Sequence, residues 1–418
     1  MALTPPSGRR RSHFLVVTAT AGLLAPALSG CGLFAQPRPT PVGGASLAPA
    51  GSVGYVVCPN AVTPVELATH TAEAPIPLPV SGTPEQGDFA IATSPDGRWA
   101  YVVTTEGAGA RSPQPSAGAS GPTTSSTPLG APQAPPSTGG SSQPPSGVGA
   151  QNVVIPIDLV AQRAGAPIDI PGRGGTHAIV VLPDGHTVLA ASGSALVPVD
   201  VATRHVGTPV DLGAGRTVFG MALDPVSTTL YVLVSGGVVP VNTVRDTTGA
   251  TILTGLAVSS VNSPHGIAVT QSGSTVYVVG QGPPDYGGRV LPITTATGAV
   301  GAAASFDAYG ISDPAALAVE PDGSALLVVD SANNWVNPVP VAAFAHPPTP
   351  VRLPAQGAGG PGSGTGHPTD IVLGPPGFGA FVVLGFDAVL PYDPGSETFG
   401  QAIPVCTGAS SMAVAPSP

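Results

Sequence analysis

The chain has 418 residues, of which only 9% are charged and 5% aromatic, while Gly (57) and Pro (52) are abundant. A typical soluble domain carries roughly 25% charge, so this composition fits either disorder or many short strands joined by many turns. The formal charge is −10 and all 13 basic residues are Arg. An acidic surface without basic clusters argues against nucleic acid, because displacing phosphate counterions requires Lys and Arg.

Arg9, Arg10 and Arg11 precede an apolar run, Phe14–Leu28, that leads into Leu28-Ser29-Gly30-Cys31. A basic region, a short apolar core and small residues at the cut describe a secretory signal over residues 1–30. Residues 28–31 resemble a bacterial lipobox, which implies that Cys31 becomes the first mature residue and carries the lipid. A membrane-spanning helix needs about 20 apolar residues, and this run is shorter and holds Pro26. Arg10-Arg11 leaves the export route open between general secretion and the twin-arginine path. Residues 31–52 are rich in Pro, Ala and Gly and lack apolar periodicity, so they read as a lipidated tether. A flexible tether of that length spans roughly 25 Å, and a Pro-stiffened one up to about 60 Å. The expected location is the outer face of the cell membrane, with the lipid as the only membrane contact.

From Val53 onward one paragraph is written seven times, most legibly over Thr176–Pro209. The proline of the first turn, or its replacement, recurs at Pro95, Pro183, Pro225, Gln271, Pro321, Pro375 and Pro416. Leaving out the insertion described below, the period is about 44 residues, the length of a propeller blade made of four short strands. Each copy opens with an inner strand of small and β-branched residues without polar alternation, so both of its faces must be covered. A Pro-Asp-Gly turn follows in the clearest copies, where Pro presets φ, Asp bonds nearby backbone and Gly takes the left-handed position. The third strand carries a proline at one register: Pro64, Pro156, Pro198, Pro240, Pro292, Pro338 and Pro391. Proline removes a ladder donor, so this register is expected to lack a backbone bond in every blade. Polar residues two places on (Glu66, Asp158, Asp200, Asn242, Asp393) are expected to bond turn backbone.

The ordered chain starts as a second strand at Val53–Cys58 and ends as a first strand at residues 411–418. The fold class read from this pattern is all-β: a seven-bladed β-propeller over 53–418, with four-stranded blades. The last strand should complete the N-terminal blade, one strand from the end joining three from the beginning. A closed ring of this kind removes exposed sheet edges.

The turn, the second strands opening on Tyr55, Tyr101, Tyr231 and Tyr277, the run Val197–Thr203 and the Gly207–Val210 step are similar to repeats of the YVTN-family β-propellers. The resemblance covers about 320 residues outside the insertion. Here Tyr-Val-Val or a variant replaces the family's Tyr-Val-Thr-Asn, and proline enters the third strand. The resemblance implies a seven-bladed propeller, commonly extracytoplasmic, with no single shared activity.

Residues 107–150 are Pro, Ser and Gly rich, cannot bury a core, and are expected to form a disordered surface loop in blade two. Their Ser/Thr/Pro content also suits O-glycosylation. Cys58 ends the second strand of blade one and Cys406 precedes the strand that completes it. In an oxidising compartment a Cys58–Cys406 disulfide is the natural reading, with free thiols or metal ligands as the alternatives.

Six residues before each turn marker, at the entrance to the inner strand, stand Phe89, His177, Phe219, His265, Ala315, Thr369 and Ser410. Asp370 follows Thr369, and His367 lies two places before it. His177, His265, His367, Asp370, Phe89 and Phe219 are therefore candidates for a small-ligand site at the axial mouth, with a metal as the alternative occupant. The competing reading is that they plug the channel and cap strand starts. The run Gly357–Gly362 matches a dinucleotide fingerprint but has no helix pattern after it, which removes that reading. No catalytic motif is found, and no cofactor is predicted. The leading expectation is a monomeric binding or scaffold module of the cell envelope, with a protein, glycan or small molecule as partner. The alternatives are a lactonase- or lyase-like propeller enzyme working at the axial mouth, and a passive wall component.

Overall fold

The computed structural model describes residues 53–80, 89–106, 151–172, 175, 178–258, 266–283, 287–306, 313–344, 349–354, 367–385 and 387–415. These fall within one compact unit, Leu47–Pro418. The signal segment, Cys31, the tether and the 107–150 insertion lie outside the described residues.

Seven antiparallel sheets follow one another along the chain, and they form a seven-bladed β-propeller. Blade two shows the unit: inner strand Phe89–Thr93, then Trp99–Glu106, Gln151–Asp158 and an outermost strand. That outermost strand is broken into Arg163–Ala164 and Ile168–Ile170, which pair with opposite ends of the third strand. Among the described residues, six of the sheets share this break and the sheet beginning at Pro314 has a single outer piece.

Proline causes the break. In an antiparallel strand a residue's N–H and C=O point to the same neighbour. The carbonyls of Pro156, Pro198, Pro240, Pro292 and Pro391 accept from Gly165, Gly207, Gly249, Gly301 and Gly400 in the outer strand. The absent N–H therefore faces the outer strand, and the ladder to the second strand is intact from Trp99↔Asp158 through Glu106↔Gln151. The glycine has a steric reason as well: a Cβ on Gly301 would lie 2.9 Å from the Pro292 ring and one on Gly165 3.1 Å from that of Pro156.

The turns follow the sequence reading. Asp96, Asp184 and Asp322 accept backbone N–H bonds from Arg98, His186 and Ser324, and Gly97, Gly185 and Gly323 have φ of 66°, 77° and 70°. At the next turn Asp158, Asp200, Asn242 and Asp393 each accept a backbone N–H two or three residues on. Glu66 does so over a longer 3.4 Å to Ala68.

Alternate side chains of each strand enter opposite seams, which is why the inner strands carry no polar face. Ala90 and Tyr101 pack toward blade three, while Ile91 and Val102 pack toward blade one. Seven apolar clusters fill the seven seams, and the seam between the last blade and the first is one of them, with Phe381, Val383 and Ile403 against Val56, Leu67 and Met412. Fully burying a side chain such as Phe381 is worth roughly 1.5–3 kcal/mol. In blade one, Ser411–Val414 pairs antiparallel with Val53–Cys58, from Gly54↔Val414 to Val57↔Ser411. Cys58 and Cys406 form a disulfide beside this pairing, with Cα atoms 6.1 Å apart across 348 positions of sequence. The hydroxyl of Thr63 donates to the Cys406 sulfur at 3.0 Å.

Candidate functional site

Two regions bear on function: the entrances to the inner strands around the axis, and a groove on the outer rim between blades two and three.

At the axis, the residue singled out by sequence in blades four, six and seven stands at a register shift. The pairing skips from Val218 to Gly220, from Pro314 to Ala316 and from Pro368 to Asp370, which bulges Phe219, Ala315 and Thr369. Such bulges re-aim a side chain and bend the strand end. His177 and His265 lie outside the described residues. Phe89 is buried in the seam between blades one and two, and Phe219 packs half-buried against the seam between blades four and five. His367 is exposed, its Nδ1 2.7 Å from the carbonyl of Ser331 in the neighbouring blade.

Asp370 is fully buried. Its carboxylate accepts the N–H of Ile371 at 2.8 Å and that of Met412, in the closing strand, at 3.0 Å. On the other side of that strand, the Thr93 hydroxyl of blade two donates to Val414 O at 3.0 Å. Asp370 thus ties the last blade to the first through backbone, while His367 bonds the backbone of the preceding blade. Among the described residues no group of three or more His, Cys, Asp or Glu is placed to hold a metal ion.

The rim groove arises where the outer strand parts around Pro156. It has a volume of about 560 Å³ and is walled by Gly165 and Ala166 of blade two and by the turns Pro183–His186 and Val201–Arg204 of blade three. Tyr101 and Pro156, which face each other in the ladder, make its floor, with Trp99 beside them. Trp99 is half-buried, packed against the seam between the two blades.

The Tyr101 hydroxyl, the Arg204 guanidinium and the Asp96 and Asp184 carboxylates are each hydrogen-bonded to backbone. The Tyr101 hydroxyl donates to Gly185 O at 3.3 Å, and burial, with Asp96 and Asp184 nearby, pushes its pKa up to about 12. The Ser94 hydroxyl and the Arg98 N–H hold the Asp96 carboxyl below its usual value. Burial works against the charged form of Asp184, but the Thr187 hydroxyl and the Thr187 and His186 N–H groups outweigh it and lower that pKa too. Arg204 reaches across the seam to donate to Ala166 O at 3.0 Å and Pro167 O at 2.7 Å. The site thus offers aromatic faces and two ionised carboxylates on fixed turns, an arrangement suited to binding. A second groove of about 550 Å³, between blades four and five, repeats the floor with Tyr231 and Pro240. There Thr229 stands where blade two has Trp99, and no carboxylate lines the wall.

Sequence reasoning missed this groove. The available signal was Trp99 at the start of a second strand, where other copies carry Thr187, Thr229, Thr275 or Ala325.

No family model matches the chain, and no curated protein matches it in sequence. Among solved structures, Kuenenia stuttgartiensis hydrazine synthase is similar at a TM-score of 0.56 and 15% identity, over 86% of this chain and 94% of that one. A functionally unknown protein from Desulfotomaculum acetoxidans DSM 771 is similar at a TM-score of 0.56 and 10% identity, over 88% of this chain and all of that one. At such identities the likeness is one of fold, and it agrees with the propeller described above.

Proposed function

We propose that this protein is a lipid-anchored, extracytoplasmic propeller of the YVTN type that acts as a binding module in the cell envelope. The observation that carries the binding half is the rim groove between blades two and three. It is a concave site of about 560 Å³ whose Tyr101, Asp96, Asp184 and Arg204 side chains are held by backbone bonds, so little ordering entropy is lost when a ligand enters. The lipobox at 28–31 and the signal segment before it support the anchoring half, with Cys31 as the lipidated residue. The Cys58–Cys406 disulfide supports an oxidising compartment. The two similar structures contribute the fold and no activity.

The test has two arms. Metabolic labelling with a radiolabelled fatty acid should mark the chain and should leave a Cys31→Ala variant unmarked; labelling that survives the substitution refutes the anchor. A photo-crosslinking amino acid at position 99 should capture a ligand in intact envelopes, whereas the same residue at position 229 should not. Equal capture at both positions, or none at either, removes the groove as the functional site. No observation among the described residues favours the lactonase- or lyase-like alternative.

A further inference from the structure

Both rim grooves follow from the broken outer strand, but their walls differ in charge. Blades two and three each carry a Pro-Asp-Gly turn, at 95–97 and 183–185, and the groove between them takes Asp96 and Asp184 from those turns. Blades four and five read Pro225-Val226 and Gln271-Ser272 at the same places, and the lining of their groove holds no carboxylate. Burial first, then the charges of Asp96 and Asp184, raise the pKa of Tyr101, which sets both carboxylates around one hydroxyl of the floor.

The turns use these carboxylates, and that use limits what else they can hold. Asp184 receives the His186 and Thr187 N–H groups on Oδ1 and the Thr187 hydroxyl on Oδ2. Asp96 receives the Ser94 hydroxyl and the Arg98 N–H on Oδ1. A carboxylate has roughly four acceptor positions, so Asp184 has used most of its capacity and Asp96 about half. Gly185 O is taken by the Tyr101 hydroxyl, and Ala166 O by Arg204, the guanidinium of the lining. The groove therefore presents fixed negative charge with few vacant lone pairs.

A metal ion needs free carboxylate oxygens in its inner shell, and a sugar or a primary ammonium gains most where its donors meet vacant acceptors. An anion meets two fixed negative charges. A cation whose charge is spread over alkyl groups needs no vacant lone pair; the carboxylate field and the negative face of an aromatic ring hold it, and Trp serves best. Trp99 is half-buried in the lining, and Pro95, Pro156, Pro183 and Val201 offer apolar contact to the alkyl groups.

We propose that the groove between blades two and three binds an organic cation of the alkylated ammonium class, its head against Trp99 and between the Asp96 and Asp184 turns. This names the ligand class of the groove in the proposed function and rests on that reading. A free solute and a lipid headgroup present the same trialkylammonium, so the shared chemistry is the claim.

The experiment uses the full chain with Cys31→Ser to keep it in solution. Binding of choline, of its neutral isostere 3,3-dimethylbutan-1-ol and of ethanolamine is measured by ligand-observed NMR at constant ionic strength. Choline should bind about tenfold tighter than either, the size of a partly desolvated cation–π contact. Replacing both Asp96 and Asp184 by Asn keeps an acceptor in each turn and should weaken choline about tenfold, with the melting temperature nearly unchanged. Trp99→Thr, which installs the residue that opens the corresponding strand at Thr187, Thr229 and Thr275, should do the same. Displacement of choline by phosphatidylcholine vesicles but not by phosphatidylglycerol vesicles assigns the head to a lipid, and no displacement by either assigns it to a solute. Equal affinity for choline and its neutral isostere, or choline binding unmoved by the Asn pair and by Trp99→Thr, overturns the proposal. If that happens while the crosslinker at position 99 still captures a ligand in intact envelopes, only the class is wrong. If nothing is captured either, the groove reading falls with it.

Discussion

Asp370 decides whether the axial end of the last blade is a ligand site or a structural tie. Replacing it by Ala leaves the Met412 N–H of the closing strand, and the Ile371 N–H beside it, without their buried acceptor. A hydrogen bond to a charged group contributes about 1.5–3 kcal/mol, so the loss of two is expected to cost about 3–6 kcal/mol. Unfolding entropy near 2.1 cal/mol/K per residue gives a propeller of about 320 residues about 0.7 kcal/mol per degree. Asp370→Ala should therefore melt about 4–9 °C lower by calorimetry. Asp370→Asn keeps one carbonyl acceptor and should lose less than half of that. A residue kept for ligand binding behaves otherwise, because removing a buried charge held for function commonly leaves stability unchanged or raises it. An Asp370→Ala chain that melts at or above the parent temperature refutes the structural reading and returns Asp370 to the list of ligand-binding candidates.

Three further outcomes follow from the same geometry. A Cβ on Gly54 would overlap the methyl group of Met412, so Gly54→Val should destabilise the clasp by about 1–3 kcal/mol, and Met412→Ala in the same chain should restore part of it in a double-mutant cycle. Burial, first of all, raises the pKa of Tyr55, Tyr101 and Tyr392 from 10.0 to about 12, so the unfolded chain releases these protons first. Stability should thus be full below pH 10 and fall between pH 10 and 12, with tyrosinate absorbance appearing together with unfolding; tyrosinate forming well before unfolding contradicts this. Because the nitrogen of Pro240 faces a gap in the outer strand, Pro240→Ala should cost no more than about 1 kcal/mol in urea, the entropy effect of releasing a proline, and a cost above about 2 kcal/mol would contradict the ladder argument.

The fold was legible because its determinants are local and repeated. Turn residues such as Asp184 and Gly185 announce a hairpin in three copies, and seven copies of the strand pattern at a propeller period leave little choice of architecture. The third-strand prolines were read as a missing bond, and the structure adds its direction: the gap faces outward, which splits the outer strand and opens the rim grooves. The axial entrances were located by register, and three of them coincide with bulges, which follow from pairing between strands and cannot be read from one strand alone. The role of Asp370 was not legible, because its partner Met412 is 42 positions away in sequence. The groove around Trp99 was hidden for a similar reason. Its walls come from two blades, and each wall residue taken singly reads as an ordinary turn.

The most direct test is the covalent state of Cys58 and Cys406, whose Cα atoms the closed ring brings to 6.1 Å across 348 positions. Native protein alkylated in denaturant without reduction, then digested, should yield one peptide pair joined through Cys58 and Cys406, with neither thiol labelled. Recovery of both cysteines alkylated, or of either one joined to a second chain, would contradict the closure of the seventh blade onto the first.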